Sequence, residues 1–149
     1  MKRTRVDRQF DPAAGDVPAL PQALQQVLVN LIVNALDAMA EVEQPVLTIR
    51  TQRRDGHCTI EVTDNGHGVR PEHMRRLFEP FFTTKPVGKG TGLGLSISYS
   101  LIQRQGGHLS ARSEVGQGTT FVIRLRTEAG SQNWETPGGR AVITGKSDG

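Results

Sequence analysis

The sequence predicts a two-layer α/β sandwich, in which one mixed, largely antiparallel sheet carries about three helices on one face. Three observations predict it: a long stretch with apolar residues three and four positions apart, two strand pairs around glycine-containing turns, and a glycine-rich segment that leads into a second well-patterned helix. The order helix, strand pair, helices, strand pair is typical of a sheet with helices packed against one side.

The first strong element is a helix predicted from Pro21 to Ala40, since proline suits the first helical turn. One face is apolar and consists of Leu24, Leu28, Leu31, Ala35 and Met39. A second face is polar and consists of Gln26, Asn30, Asn34 and Asp37. Because these four side chains share one side of the helix, they form either a solvated face or a face that meets a ligand.

The remaining elements follow from alternation, helical spacing and turn residues. Strands are predicted at 46–51, 58–63, 108–113 and 120–126, and helices at 71–77 and 93–105, with a glycine- and lysine-rich loop over 78–91. We expect a single domain over 18–127. Residues 1–17 are an N-terminal segment with a possible edge strand, and residues 128–149 are a tail that is expected to be flexible.

Composition excludes several classes of protein. The chain of 149 residues has one cysteine, so an internal disulfide framework is excluded. A net charge of +3 and an aromatic content of 5% give no sign of nucleic-acid binding. The longest apolar run, Val27 to Met39, is interrupted by polar residues and is too short to insert into a membrane. We therefore expect a cytoplasmic protein.

The polar helix face is a candidate metal site. Amide oxygens such as those of Asn30 and Asn34 are hard, neutral ligands suited to Mg²⁺, which usually keeps waters and substrate phosphates.

A second candidate site is the segment Asp64-Asn65-Gly66-His67-Gly68-Val69, which directly follows a strand. The glycines allow the backbone to approach a flat ligand, and an ionised carboxylate accepts hydrogen bonds, for example from adenine N6. An ordinary Asn-Gly turn is the alternative.

The third candidate is the glycine-rich segment from Gly88 to Leu95. Backbone N–H groups at the start of a helix bind phosphate, and Lys85 and Lys89 add positive charge. A flexible linker is the alternative, although the helix that follows is well patterned. The glycine spacing fits neither a dinucleotide-binding fingerprint nor a P-loop.

Together, these motifs resemble the GHKL superfamily, which has the Bergerat ATP-binding fold, and within it the sensor histidine kinases. The Phe-Glu-Pro-Phe-Phe-Thr-Thr-Lys segment is most similar to nitrogen-regulation and dicarboxylate-sensing kinases. The segments that carry the resemblance are 26–39, 64–68, 78–85, 90–95 and 116–121.

The resemblance implies a role for each candidate residue. Asn34 would bind Mg²⁺ with support from Asn30, Asp64 would hold adenine N6, and Thr119 would back the adenine pocket. Residues 78–94 would form a mobile ATP lid, and Phe78, Phe81 and Phe82 would anchor it and touch the phosphoacceptor domain. The further residues expected at ATP are Asp37, Gly66, Gly68, Val69, Lys85, Lys89, Gly90, Thr91, Gly92, Leu93, Gly94 and Leu95.

The resemblance also implies transfer rather than hydrolysis. Related ATPases place a glutamate general base where this chain has Asn30, and an amide cannot take up a proton near neutral pH. Many related kinases carry a basic residue where Asp37 stands, so we assign phosphate neutralisation to Lys85 and Lys89. The four histidines do not match the family's phosphoacceptor pattern; they are His57, His67, His73 and His108.

These features predict the catalytic half of a histidine kinase, the cytoplasmic part of a larger protein that could be membrane-anchored. Its partners would be a dimerisation and phosphoacceptor domain and, indirectly, a response regulator. A stand-alone serine kinase or ATPase of the same superfamily is one alternative. A protein-interaction module with an inactive pocket is another.

Overall fold

The computed structural model describes residues 3–12, 21–83 and 94–127, and its centre is a five-stranded sheet. The strands are β1 (Arg5–Gln9), β2 (Val46–Arg54), β3 (His57–Asp64), β4 (His108–Glu114) and β5 (Gly118–Arg126). Their order across the sheet is β1-β2-β3-β5-β4. β1 runs parallel to β2 and all other neighbours are antiparallel, so the predicted mixed, largely antiparallel sheet is confirmed.

The helices within the described residues are α1 (Pro21–Ala38), α2 (Pro71–Met74) and α3 (Gly94–Arg104). α1 ends two residues before the predicted Ala40, because the N–H of Met39 is shared between two carbonyls and the chain then turns. α2 is also shorter than predicted. Beyond Met74 the backbone bonds three residues back, as Arg76 does to His73, and this tightens the helix into turns.

The core lies between the helices and the sheet. α1 and α3 contact each other, α1 contacts β3 and β5, and α3 contacts β4. Every second side chain of the inner strands points into this layer, as expected for a half-covered sheet. The buried apolar residues of the cluster are Val27, Leu31, Ala35, Met39, Leu47, Val62, Leu77, Ile102, Leu109, Phe121, Ile123 and Leu125. Leu24 and Leu28, predicted on the same helix face, pack against its edge.

The opposite side of the sheet carries polar and charged residues. Arg112 on β4 and Glu61 on β3, for example, approach to 3.8 Å. Within residues 3–12, 21–83 and 94–127, no helix has both the length and the apolar character that a membrane crossing requires. The residue types predicted to carry chemistry lie on the helix side, where β3 and β5 meet the end of α1.

Candidate functional site

Asp64 is the last residue of β3, and its side chain is only 5% exposed. Its Oδ1 accepts two backbone hydrogen bonds, from the N–H of Gly66 at 2.8 Å and from the N–H of Thr119 at 3.3 Å. Among the described residues, no hydrogen bond reaches Oδ2. Burial raises the pKa of the Asp64 carboxyl, and the two backbone N–H groups and nearby His67 oppose that rise.

The loop after Asp64 is held by close backbone contacts at two glycines. A Cβ at Gly66 would collide with the carbonyl of Ala38 at the end of α1. A Cβ at Gly68, where φ is 79°, would collide with the carbonyl of Glu114. Both glycines are therefore required for the loop to lie between α1 and the β4–β5 turn.

Ser113 on β4 connects this loop to β5. Its Oγ lies 2.8 Å from the backbone nitrogen of Val69, 2.9 Å from the carbonyl oxygen of Gly118 and 2.8 Å from Oγ1 of Thr119. A serine at an inward position of a strand carries no motif signal, so the sequence alone does not single out Ser113. Only the pairing of β4 with β5 brings it beside Thr119.

A depression of about 280 Å³ at this end of the sheet is lined by Asp64, Ser113 and Thr119, by Thr63, Arg112 and Thr120, which alternate with them along the strands, and by residues of the β4–β5 turn. α1 does not contribute to its lining. The end of α1 adjoins the loop after Asp64, since the N–H of His67 donates to the carbonyl oxygen of Ala38 at 3.2 Å. Residues 84–93 lie outside the described residues.

Asn30 joins α1 to the start of α3. Its Nδ2 donates to the carbonyl oxygen of Gly94 at 3.3 Å and contacts Oγ of Ser98 at 3.1 Å. Because the carbonyl of Gly94 can only accept, the amino group of Asn30 must face α3. The amide oxygen Oδ1 is then the atom of this side chain that could meet a ligand or a metal ion. Asn34 is half-buried one turn further along, and Asp37 is exposed near the helix end.

The glycine-rich segment is described only at its end. Gly94 begins α3, and half-buried Leu95 packs against the core. The other residues expected at the phosphates lie outside the described residues; they are Lys85, Lys89, Gly90, Thr91, Gly92 and Leu93.

The structure separates the three phenylalanines that were expected to act together. Phe78 packs inward, with its ring 5.1 Å from that of Tyr99 and 6.4 Å from that of Phe121. Phe82 lies under the guanidinium of Arg76, 4.5 Å from the ring centre. Phe81 is 74% exposed and has a positive φ of 68°, so it alone of the three presents most of its ring to solvent.

Within the described residues, no three side chains of histidine, cysteine, aspartate or glutamate cluster to hold a metal ion. The amide oxygens of Asn34 and Asn30 are the candidate protein ligands on α1. A site of this kind fits Mg²⁺, which takes few protein ligands and completes its octahedron with water and phosphate oxygens.

A family model described as histidine kinase-, DNA gyrase B-, and HSP90-like ATPase matches residues 19–129, well over half of the chain. The chain belongs to this family. Relatives of this ATPase-family domain include the sensor kinase CckA of Brucella abortus, which is 47% identical over 116 residues, or 68% of this chain and 12% of that protein. The sensor protein FixL of Bradyrhizobium diazoefficiens is 43% identical over 117 residues, or 78% of this chain and 23% of that protein.

Solved structures of histidine kinases share the fold of this ATPase-family domain. The catalytic domain of histidine kinase ThkA has a TM-score of 0.72 and 29% identity, over 83% of this chain and 80% of that one. Full-length ShkA in complex with AMPPNP has a TM-score of 0.69 and 28% identity, over 87% of this chain and 27% of that one. The chain thus shares the family and the fold of the catalytic domains of histidine kinases, and it spans less than a quarter of the length of the sensor kinases compared above.

Proposed function

We propose that this domain binds Mg-ATP and donates the γ-phosphoryl group to a histidine on a separate dimerisation domain. The observation that carries the proposal is the buried carboxylate of Asp64, whose Oδ1 is held by two backbone N–H groups. A buried acceptor of this kind requires a donor, and the exocyclic amino group of adenine supplies one.

At the base end of the site, Asp64 accepts a hydrogen bond from adenine N6. Gly66, Gly68 and Val69 line the ring, because the glycines leave the flat surface that a ring can cover. The full occupancy of Oδ1 supports adenine over guanine, since guanine presents two adjacent donors and the carboxylate has only Oδ2 to offer them.

At the phosphate end, Asn34 is the proposed ligand of Mg²⁺ and Asn30 supports it. The metal neutralises phosphate charge when it is bound. The proposed phosphate contacts are Gly90, Thr91, Gly92, Leu93, Gly94 and Leu95, together with Lys85 and Lys89, and of these Gly94 and Leu95 lie within the described residues. Exposed Asp37 stays in the proposed site as a neighbour of the metal and cannot neutralise phosphate.

The domain is proposed to transfer its phosphoryl group rather than hydrolyse ATP. The bond between the γ-phosphorus and the bridging oxygen breaks, a bond to an imidazole nitrogen forms, and ADP leaves. Water would need a general base, and Asn30 supplies only an amide whose amino group is directed at α3.

The proposed partner is a dimerisation and phosphoacceptor domain, with a response regulator acting after it. Phe81 is the proposed contact with that domain, because its ring is exposed while Phe78 and Phe82 pack against neighbouring residues. A location on the cytoplasmic side of the membrane is part of the same proposal. The narrower resemblance to nitrogen-regulation and dicarboxylate-sensing kinases is not supported, because the relatives found include the sensor kinase CckA and the sensor protein FixL instead.

Calorimetry with ATP and Mg²⁺ tests the proposal. We expect binding that is weakened by Asn34→Ala in the presence of Mg²⁺ and abolished by Asp64→Ala, together with turnover in water far below the typical enzyme value of about 10 s⁻¹. Absence of ATP binding by the unmutated chain would overturn the proposal.

A further inference from the structure

The hydroxyl of Ser113 has three polar partners and one proton. Its Oγ lies 2.8 Å from the nitrogen of Val69, 2.9 Å from the oxygen of Gly118 and 2.8 Å from Oγ1 of Thr119. A serine hydroxyl donates one hydrogen bond and accepts two, so these three partners use its full capacity.

The partners fix which atom donates in each bond. The carbonyl of Gly118 can only accept, so the proton of Ser113 goes to it. The N–H of Val69 can only donate, so it occupies one lone pair of Ser113. The contact with Thr119 must then take the proton of Thr119, because Ser113 has no second proton to give. Thr119 consequently has only lone pairs left for a ligand.

Thr119 and Asp64 stand opposite each other on β5 and β3, so both offer acceptors at this end of the sheet. Oδ1 of Asp64 is already filled by the N–H groups of Gly66 and Thr119, which leaves Oδ2. The edge of the site therefore presents Oδ2 of Asp64 and Oγ1 of Thr119, and neither atom can donate when Asp64 is ionised.

We propose that Ser113 is a positioning residue that fixes the hydroxyl of Thr119 as an acceptor and thereby selects purines with a 6-amino group over purines with a 6-oxo group. The amino group has two hydrogens for the two acceptors, whereas a 6-oxo group would face two oxygen atoms. This inference rests on the proposed function, because it concerns the base end of the same ATP site.

The experiment compares ATP with inosine triphosphate, which differs at the 6-position of the base and at the protonation of N1. Binding of each is measured with Mg²⁺ on the full chain. The unmutated domain should prefer ATP. Ser113→Ala frees the hydroxyl of Thr119 to turn its proton toward the ligand, so the ratio of the two affinities should fall about tenfold, which corresponds to about 1.4 kcal/mol. Ser113→Thr keeps a hydroxyl at this position and should preserve the ratio.

A double-mutant comparison separates positioning from structural support. Thr119→Val removes the hydroxyl but keeps the backbone N–H to Asp64, so it should also lower the ratio. In that background, Ser113→Ala should change the ratio no further. An equal drop in both backgrounds would overturn the inference, as would a ratio that Ser113→Ala leaves unchanged in a domain that binds ATP.

Two further results, a variant that does not fold and an unmutated chain that does not bind ATP, lead to different conclusions. If Ser113→Ala does not fold, Thr119→Val alone decides: a lower ratio supports the inference and an unchanged ratio overturns it. Failure of the unmutated chain to bind ATP would overturn the proposed function itself, whereas ATP binding without selectivity between the two nucleotides would overturn only the role of Ser113.

Discussion

Asp64 and Thr119 stand directly opposite each other on β3 and β5, and the backbone N–H of Thr119 donates to Oδ1 of Asp64 at 3.3 Å. The bond crosses from the backbone of one strand to the side chain at the end of its neighbour. This bond and the bond from the N–H of Gly66 both go to Oδ1, so Oδ2 is the carboxylate oxygen that can accept from a ligand. The chemical character of the other oxygen follows from this arrangement and can be changed by mutation.

Replacing Asp64 by asparagine should shift the nucleotide preference of the domain from ATP toward inosine triphosphate. The two backbone N–H groups require an oxygen at the Oδ1 position, so the new amino group must take the place of Oδ2 and donate. We expect ATP binding to weaken by about 1.5–3 kcal/mol, the range for a hydrogen bond to a charged group. Inosine triphosphate should bind better relative to ATP, as measured by calorimetry.

The matched control for Asp64→Asn is Asp55→Asn, in the β2–β3 turn, where a positive φ of 52° suits asparagine. It should leave both affinities unchanged. Unaltered selectivity in Asp64→Asn would contradict the assignment of Asp64 to the base.

ATP binding should depend on pH through Asp64. Burial raises the pKa of this carboxyl, and the ionised form is the one that accepts from the amino group. As the pH falls through this raised pKa, the carboxyl takes up a proton and affinity should fall, at a higher pH than for an ordinary exposed aspartate. A titration of affinity against pH measures this, and the step should be missing in Asp64→Asn.

The raised pKa of the Asp64 carboxyl also predicts how the stability of the domain depends on pH. Because the folded state holds the proton of Asp64 more tightly than the unfolded state, this group's contribution to stability is full below the unfolded pKa. It is lost as the pH rises through the folded pKa. An asparagine at this position would not titrate, so the Asp64→Asn variant should not show this loss. In urea titrations, the free energy of unfolding of the variant minus that of the unmutated domain should therefore increase from acid to neutral pH. A constant difference across that range would argue against a raised pKa.

Asn30→Asp should destabilise the domain even though the shape is kept. The amino group of Asn30 faces the carbonyl of Gly94, which can only accept, and a carboxylate would place two acceptors together. We expect a loss of about 1–3 kcal/mol in urea unfolding. Gln26→Glu, at an exposed position on the same face of α1, is the control and should cost little. Equal stability of Asn30→Asp and the unmutated domain would show that the contact with α3 contributes nothing.

Gly66→Ala should damage the loop after Asp64 through a steric clash. The new methyl group would meet the carbonyl of Ala38, and forced repacking of this kind costs about 1–3 kcal/mol. ATP affinity should fall together with thermal stability. Gly56→Ala has open space around the Cβ but a positive φ of 77°, so it should lower stability through backbone strain and still leave ATP affinity intact. Normal ATP binding by Gly66→Ala would mean that the loop need not touch α1.

Phe81→Gly should separate partner contact from folding. The ring is 74% exposed and the backbone has a positive φ that glycine tolerates, so stability and ATP binding should be unchanged. Phosphoryl transfer to a sensor-kinase dimerisation domain added in trans should fall. Phe78→Ala is the contrasting variant and should destabilise the domain by about 2 kcal/mol or more, because its ring packs on Tyr99 and Phe121. Undiminished transfer by Phe81→Gly would remove Phe81 from the proposed interface.

The sequence by itself determined the type and order of the elements. Helical spacing in α1, alternation in β2, β3, β4 and β5, and glycine at the turns are local signals, and each depends on residues close together in the chain. The sequence also determined which residue types could meet a nucleotide, because Asp64, Asn34 and the glycine segment stand at recognisable distances from one another. That local information was sufficient for the family resemblance that the ATPase family model supports.

Only the tertiary structure decided how those residues are used. Ser113 and Thr119 meet because β4 pairs with β5, and Asn30 meets Gly94 across 64 positions of the chain. The three phenylalanines differ in exposure although they lie within five residues of one another. Hydrogen-bond capacity and burial depend on neighbours in space, and a periodic pattern along the chain does not contain that information. The acceptor character of the Asp64 edge is therefore a property of the assembled sheet.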